Sequence, residues 1–558
     1  MAVGTRPPPL PPATPELPAV LEPVPPTPAE RRSRPPPALV VAAVGVGLVF
    51  AAPLGYLVWR NAVLGGDVVA LLRSSTTLGP LGRTVLLATT VSAACAALGT
   101  SVAWVVTRAD LPGRRVWRAL VPLPLVIPSF VGAAALVAGL APGGALDQLL
   151  GPLGVERLPP VRGFVGAFGV LTLLSYPYVS LPVAARLAVL PPTLEESARL
   201  LGRRPWGVFR TVVLPQTAGA VWAGGLLVFL YVLSDFGAVD IVRYDTLTRD
   251  IFANRVFNPQ RSVALSLVLG ALAVAVVAAE RVLARRRVVT AAAGGARALT
   301  LPLGRWKAPA LGLVGATVGL GLVAPLAVLG WWAVRGLLRS DAALRVGEAG
   351  LADLVGPVAN TAGAGVVTAV VAVAVVLPVA FLTVRHRSHV GDLPNAMVVG
   401  GFALPGLVIA LALAFWALRL PAAVGLYQTL PLLVVAYVVH FGAQAMRAAQ
   451  VAVGGVPPQL EDAARTLGAG RVRRLATVSL PLMLPGLGAG AGLVLLSAMK
   501  ELPATLLLAP TGFETLATRI WGANDGGFLA EVGLTSLVLV ALSGALTWLL
   551  VIRRADRL

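Results

Sequence analysis

Charge is scarce in this 558-residue chain: 13% of its residues are Asp, Glu, Lys or Arg, while 57% are hydrophobic. A soluble domain carries about 25% charged residues, so an ordinary water-facing surface cannot be assembled from this sequence. A membrane protein is the class that remains. Cysteine is nearly missing too. Cys95 stands alone in an apolar run, which excludes a disulfide framework and reads as a small packed hydrophobe. The three histidines are His386, His389 and His440; the first two read as loop residues and the third as hydrogen-bonded packing in an apolar span, so no metal site is assigned. Lysine is rarer still. Lys307 follows Trp306 and Lys500 follows Met499, so neither can belong to the Gly-Lys-Ser/Thr of a P-loop. Any ATP used has to be held by another polypeptide, and the chain is expected to be no enzyme and to bind no cofactor. The net charge of +20 does not call for nucleic acid, because basic residues must occupy whatever loops leave the bilayer.

Proline is abundant in one place. Residues 1–37 hold fourteen prolines and predict a disordered, polyproline-like tail; with no apolar core behind a short basic start, it is not expected to be a signal peptide. Then come apolar runs of about 20 or more residues, each long enough to cross a ~30 Å hydrocarbon core as helix. They lie near 38–59, 84–107, 117–141, 163–187, 217–242 and 262–284, and again near 309–334, 362–384, 394–418, 429–450, 483–508 and 529–552. The expected fold is all-α and polytopic, with about 12 transmembrane helices in two halves, 38–285 and 309–558, joined by a cytoplasmic linker at 286–308. Most arginines fall in alternate loops that include Arg108/Arg114/Arg115/Arg118, Arg385/Arg387 and Arg553/Arg554/Arg557. The positive-inside rule then places both termini in the cytoplasm.

Two polar islands interrupt the oil, and they are one stretch written twice. The first is Leu194-Glu195-Glu196-Ser197-Ala198-Arg199-Leu200-Leu201-Gly202, running on to Leu214-Pro215; the second is Leu460-Glu461-Asp462-Ala463-Ala464-Arg465-Thr466-Leu467-Gly468, running on to Leu480-Pro481. The interval from Glu195 to Glu461 is the same as that from Gly202 to Gly468 and from Pro215 to Pro481, so the register holds without an insertion. Each island follows the fourth span of a set of six. Six is even, so the halves enter the membrane in the same orientation, as a parallel repeat. Pro191/Pro192 and Pro457/Pro458 suit a helix start, and the acidic pairs lie in the first turn, where the helix dipole favours them. Gly202 and Gly468 can take φ > 0 and end the helix; a second short helix, with Trp206 and Phe209 in the first copy, should lead to the next span. Such an elbow on the cytoplasmic surface suits a partner's groove. An amphipathic helix resting on lipid headgroups is the alternative, but two copies in one register favour a two-fold symmetric partner.

Both islands resemble the EAA loop of ABC-importer permeases: Glu-Ala-Ala, three residues, Gly, and a later Leu-Pro. The first copy reads Glu-Ser-Ala and the second Asp-Ala-Ala. The resemblance covers about 200 residues in each half, MetI-like domains near 80–285 and 356–552. It implies that each island is a coupling helix inserted into one subunit of an ATP-binding cassette dimer, with ATP-driven alternating access. The implied coupling residues are Glu195, Glu196, Ala198, Gly202 and Pro215, and Glu461, Asp462, Ala464, Gly468 and Pro481.

The span after each island contains a charge that a membrane disfavours. Asp235 sits in Ser234-Asp235-Phe236-Gly237-Ala238, and Glu501, at the same interval as the islands, in Lys500-Glu501-Leu502-Pro503-Ala504. A charge in a span costs ~2.5 kcal/mol or more and faces a cavity or partner. Gly237 and Pro503 loosen the helix locally, so Asp235, Lys500 and Glu501 are candidates for the translocation path on irregular backbone; a structural role, such as an ion pair between Lys500 and Glu501, is the alternative. Downstream, Thr246-Leu247-Thr248-Arg249 rhymes with Thr515-Leu516-Ala517-Thr518-Arg519, reading as a receptor-docking loop or as a cap between spans. These stretches, with Lys500-Glu501-Leu502-Pro503-Ala504-Thr505-Leu506-Leu507-Leu508, resemble the fused two-domain permeases of ferric-iron importers. That likeness implies an extracytoplasmic binding protein that delivers Fe³⁺, a separate nucleotide-binding subunit and a bacterial plasma-membrane location; similar fused permeases serve thiamine. A proton-coupled transporter of the major facilitator type also has six plus six spans, and Asp110-Leu111-Pro112-Gly113-Arg114-Arg115 partly matches its loop. The paired islands have no place in that scheme.

Overall fold

The computed structural model describes residues 35–64, 73–141, 161–285, 300–338, 350–386 and 389–547, with 70, 144, 148 and 549. The Pro-rich tail before residue 35, linker residues 286–299, Arg387 and the C-terminal arginines lie outside them. Among the described residues the secondary structure is helical, relieved by one isolated β-bridge between Ala109 and Leu301.

The first half contains α1 (Pro37–Leu64), α2 (Ser75–Arg108), α3 (Arg114–Leu120), α4 (Ser129–Gly139), α5 (Gly163–Ser175), α6 (Pro177–Val189), α7 (Pro192–Leu200), α8 (Leu214–Ser234), α9 (Gly237–Ile241), α10 (Leu247–Asn254) and α11 (Pro259–Arg285). The second repeats the order with α12 (Lys307–Val318), α13 (Ala324–Leu338), α14 (Val355–Val384), α15 (His389–Gly401), α16 (Gly406–Arg419), α17 (Leu430–Gly454), α18 (Pro458–Thr466), α19 (Leu480–Ala498), α20 (Pro503–Leu508), α21 (Leu516–Asp525) and α22 (Leu529–Thr547). Among the described residues ten helices are long and apolar enough to cross a membrane, or 12 if each of two bent pairs is counted as one span.

The bent pairs correct the sequence reading. The third span of each half, expected as one helix at 117–141 and 394–418, is folded back by 94° between Val126 and Ser129 and by 106° between Gly401 and Gly406. Proline is the cause. Ring sterics push the residue before a proline out of the helical region, and Ile127 is extended (φ −82, ψ 118) ahead of Pro128, which is extended in turn, as Pro405 nearly is. The fifth spans, expected at 217–242 and 483–508, also stop short. α8 ends at Ser234 and α19 at Ala498, and α9 and α20 follow across non-helical backbone at Asp235–Phe236 and Lys500–Leu502.

Three π-helical turns, Phe209–Val213, Gly319–Val323 and Leu475–Ser479, each stand two residues before a proline: Pro215, Pro325 and Pro481. A proline in a helix removes one N–H and presses its ring on the carbonyl four residues back; widening that turn relieves both problems without ending the helix.

The halves partly exchange their first helices. α1 packs mainly on α14, α15 and α16 and also on α11 of its own half, while α13 packs mainly on α22 of its own half and also on α4 of the first. One core therefore combines Phe50 and Leu57 of α1 with Leu407, Tyr437 and Val494 of the second half; the other combines first-half residues such as Val91 and Tyr176 with Val318, Leu329 and Val532. Phe50 is a tightly seated knob across the seam, for a Cβ at Gly442 would lie 2.4 Å from its Cζ.

The end of the linker is pinned to the loop after α2. Leu301 N–H donates to the Arg108 carbonyl (2.7 Å), Leu303 N–H to Asp110 Oδ1 (2.9 Å), and Lys307 Nζ lies 2.7 Å from Asp110 Oδ2. The Lys307 hydrogen bond first, then the Leu303 N–H, holds the Asp110 carboxyl below the ordinary carboxylate range. A depressed carboxylate stabilises the folded state above its ordinary pKa, and the contribution is lost as pH falls through the folded value. Hydrogen exchange at Leu303, corrected for the intrinsic rate, should stay flat at neutral pH and rise only below the ordinary carboxylate range; Lys307→Ala should move that rise to higher pH.

Candidate functional site

The islands fold as elbows. Pro191 and Pro457 precede α7 and α18, and both helices end in the same hydrogen-bond pattern. Gly202 (φ +80) donates to the Arg199 carbonyl and Arg203 to that of Ala198; Gly468 (φ +79) donates to Arg465 and Ala469 to Ala464. These paired bonds satisfy the carbonyls left open at a helix end and require the left-handed region that glycine enters without strain. Arg204 and Gly470 then lead into a short turn of helix, the π turn and the next span.

One elbow face looks inward. Glu195 is 1% exposed and its Oε1 lies 3.3 Å from Nη2 of Arg108, the last residue of α2; the same Nη2 donates to the Leu190 carbonyl (3.2 Å). In the second half Arg385 Nη2 donates to Glu461 Oε1 (3.2 Å) and to the Val456 carbonyl (2.9 Å), and Ser479 Oγ donates to the same Oε1 (2.9 Å). Ala198 is buried beside Glu195, and Ala464 is half-buried. The other face is open. Glu196, Gly202 and Pro215, with Asp462, Gly468 and Pro481, are exposed. So is Trp206, and so are apolar side chains that sequence reasoning passed over: Leu201 (82%), Leu467 (87%), Leu200 and Val472. Their signal was present, since an apolar side chain just before a helix-ending glycine, in a polar segment, has no core of its own to enter. Arg108 and Arg385 were also missed; each reads in sequence only as one more positive-inside residue.

The four backbone breaks converge on a cavity of 520 Å³ between the halves, lined among others by Ile127, Pro128, Asp235, Phe236, Phe402, Gly406, Glu501 and Leu502. Irregular backbone at membrane depth is tolerated where it lines a cavity or is buried in protein. The acids serve the breaks directly. Asp235 Oδ1 accepts from the Ala238 (3.0 Å) and Val239 (3.4 Å) N–H groups, and Glu501 Oε1 from that of Ala504 (3.1 Å), so each carboxylate caps the short helix that follows it.

Asp235, Lys500 and Glu501 thus meet at one cavity, on walls of different chemistry. Leu174, Tyr178, Tyr231 and Ser234 of the first half stand where the second half has His440, Gln444, Ser497 and Lys500, each pair at the interval that separates Asp235 from Glu501. Ser129, the side-chain partner of Asp235, is matched by Gly406, against whose Cα the Glu501 carboxylate packs, with His440 Nε2 3.9 Å from its Oε2. The expected alternative for Lys500 does not hold. Its Nζ donates across the seam to the Leu125 carbonyl (3.0 Å) instead of pairing with Glu501. Among the described residues no three His, Cys, Asp or Glu side chains are grouped to hold a metal ion.

Residues 96–289 and 380–554 each match the family described as binding-protein-dependent transport system inner membrane component. The chain is 29% identical over 524 residues, 93% of its length and 98% of the relative's, to an Fe(3+)-transport system permease protein of Haemophilus influenzae. It is 35% identical over 213 residues to the molybdenum transport system permease protein of Mycobacterium tuberculosis (36% of this chain, 78% of the relative). It is 31% identical over 212 residues to a sulfate transport system permease protein of Synechococcus elongatus (35% of this chain, 75% of the relative).

Proposed function

Because the chain belongs to the family of binding-protein-dependent transport system inner membrane components, we propose that it is the fused permease of a ferric-iron importer. In this reading an extracytoplasmic binding protein delivers the iron, and ATP hydrolysis on two copies of a separate subunit drives it inward. The observation that carries the cargo is the extent of the likeness to the Fe(3+) permease. It runs through both halves, whereas the molybdenum and sulfate relatives match 36% and 35% of the chain. The cavity favours the same cargo, because Asp235 and Glu501 face a single ammonium, that of Lys500. Hard cations prefer oxygen ligands, whereas an oxyanion needs donors. Asp235, Lys500 and Glu501 line the path in this reading.

The elbows are the coupling sites. Glu196, Gly202, Asp462 and Gly468 stand on the open faces, Pro215 and Pro481 start the spans behind them, and Glu195, Ala198, Glu461 and Ala464 hold the elbows against the permease. Arginine distribution supports cytoplasmic elbows and cytoplasmic termini in a bacterial inner membrane.

The test is uptake of radiolabelled ferric iron by vesicles holding the permease with its ATP-binding subunit. Uptake should require internal ATP and the binding protein; uptake with a proton gradient and no ATP, or rescue of a deletion strain by thiamine and not by iron, would refute the reading. The elbows permit a separate check. An added Cβ at Gly202 or Gly468 meets no atom within 4 Å, so the cost of a side chain there is purely conformational, roughly 1–2 kcal/mol for a left-handed residue. Gly202→Val and Gly468→Val should reduce co-purification of the ATP-binding subunit several-fold, while Asn, which tolerates that region, should retain most of it.

A further inference from the structure

α2 and α14 are each fastened at two places, and in the same way. At the inner ends, Arg108 and Arg385 grip the elbow glutamate and the carbonyl that precedes the elbow. On the outer side, some way in from the start of α2, the buried Thr84 hydroxyl donates to the Pro80 carbonyl (2.7 Å) and accepts from Leu247 N–H (2.8 Å), the first residue of α10. Thr361, its counterpart on α14, donates to Pro357 (2.6 Å) and accepts from Leu516 N–H (2.9 Å), the first residue of α21. The interval from Arg108 to Arg385 equals that from Thr84 to Thr361, so the two fastenings are equally spaced on both helices. The stretch from Thr84 to Arg108 spans about 36 Å as helix, enough to cross a ~30 Å hydrocarbon core. In the first half the chain of contacts reaches the cavity, because Thr248 of α10 donates to the Asp235 carbonyl (2.7 Å).

We propose that Arg108 and Arg385 are positioning residues that make α2 and α14 connecting rods: each carries the movement of its elbow across the membrane to the helix that follows the cavity, α10 or α21. The proposal rests on the elbow reading given above. A glutamate turned inward onto an arginine adds nothing to a partner's groove, yet both halves keep the pair. The exposed face of the elbow receives the partner and the buried face hands the displacement on. The outer threonines complete the device, since an N–H at a helix start would otherwise be an unsatisfied donor.

Phe257 and Phe528 are exposed and each follows its outer helix, α10 or α21, by three residues. Spin labels at Phe257→Cys and Phe528→Cys, in a Cys95→Ala background, report the separation of the two outer ends. In nanodisc-held complex with the ATP-binding subunit, trapping with ATP and vanadate should shift that separation. Arg108→Gln with Arg385→Gln should at least halve the shift while the subunit still co-purifies, and Arg108→Lys with Arg385→Lys should restore part of it. Thr84→Val with Thr361→Val, distant from the elbows, should reproduce the loss and stand in if the arginine variants do not fold. Combining both sets should be no worse than either alone. A full shift in either set, or strictly additive losses, overturns the rods; loss of co-purification in the arginine variants places those residues in docking and overturns them too. Failure of the unsubstituted chain to co-purify with the subunit refutes the elbow reading instead. The label separation in the chain alone then decides the rods, and an unchanged distribution in the arginine variants overturns them.

Discussion

Glu195→Gln should destabilise the protein by about 3–5 kcal/mol, the cost of leaving a buried charge without its partner, whereas Glu461→Gln should cost about 1 kcal/mol or less. The two pairs occupy equivalent places but different surroundings. Arg108 and Glu195 are 0% and 1% exposed, Arg385 and Glu461 are 19% and 33% exposed. Water reaches the second pair and solvates whichever charge is left; it does not reach the first. Apparent melting temperatures in detergent, read from the intrinsic fluorescence of the tryptophans, should separate the two variants clearly. Equal shifts would show that water reaches Arg108 in solution. The double substitution Arg108→Leu with Glu195→Leu should recover most of the stability, because a buried ion pair is commonly no better than apolar side chains of similar volume. On the connecting-rod proposal it should not recover coupling.

That asymmetry marks how far the sequence could be read. The doubled register of Glu195/Glu461 and Gly202/Gly468 announced two like halves and two elbows, because helix start, dipole and helix-ending glycine are local chemistry. Which acid of each pair turns inward depends on the phase of α7 against α2, and Arg108 lies two spans upstream of Glu195 in sequence. No local rule joins them. The acids of the interrupted spans were legible as residues out of place, and Gly237 and Pro503 warned that the helix would break beside them. The right-angle folds at Pro128 and Pro405 were not anticipated, although residue-level sterics favoured them. Hydropathy over a window of about 20 residues passes across a single proline without registering it. The exchange of first helices lies further from reach, for α1 and α13 are apolar on most faces and carry no stripe that would name a neighbour.

Gly442→Val should nearly abolish the folded protein, and the reason lies in that exchange. Phe50 is 1% exposed and its ring lies against Gly442 of α17 and Gly401 of α15, where added Cβ atoms would approach to 2.4 Å and 3.2 Å. Three more heavy atoms at Gly442 cannot be met by a small rotation, since the obstructing group is a ring fixed between two helices. Overpacking typically costs about 1–3 kcal/mol, and here relief requires α1 to lift from the second half. Truncating the knob instead, Phe50→Ala, should cost about 3–5 kcal/mol through the cavity it opens. The pair distinguishes a specific socket from general apolar contact. If the socket holds α1 in place, Phe50→Ala should restore folding to Gly442→Val, and monodisperse yield after size-exclusion chromatography should rise above that of either single variant. If α1 merely lies in lipid beside the second half, the two defects will add. A further consequence concerns the fusion itself. With α1 seated mainly on the second half and α13 shared between α22 of its own half and α4 of the first, neither half alone covers every face of its opening helix. Either half expressed without the other should therefore expose that face and aggregate, while co-expression of the two as separate chains should recover the assembled form.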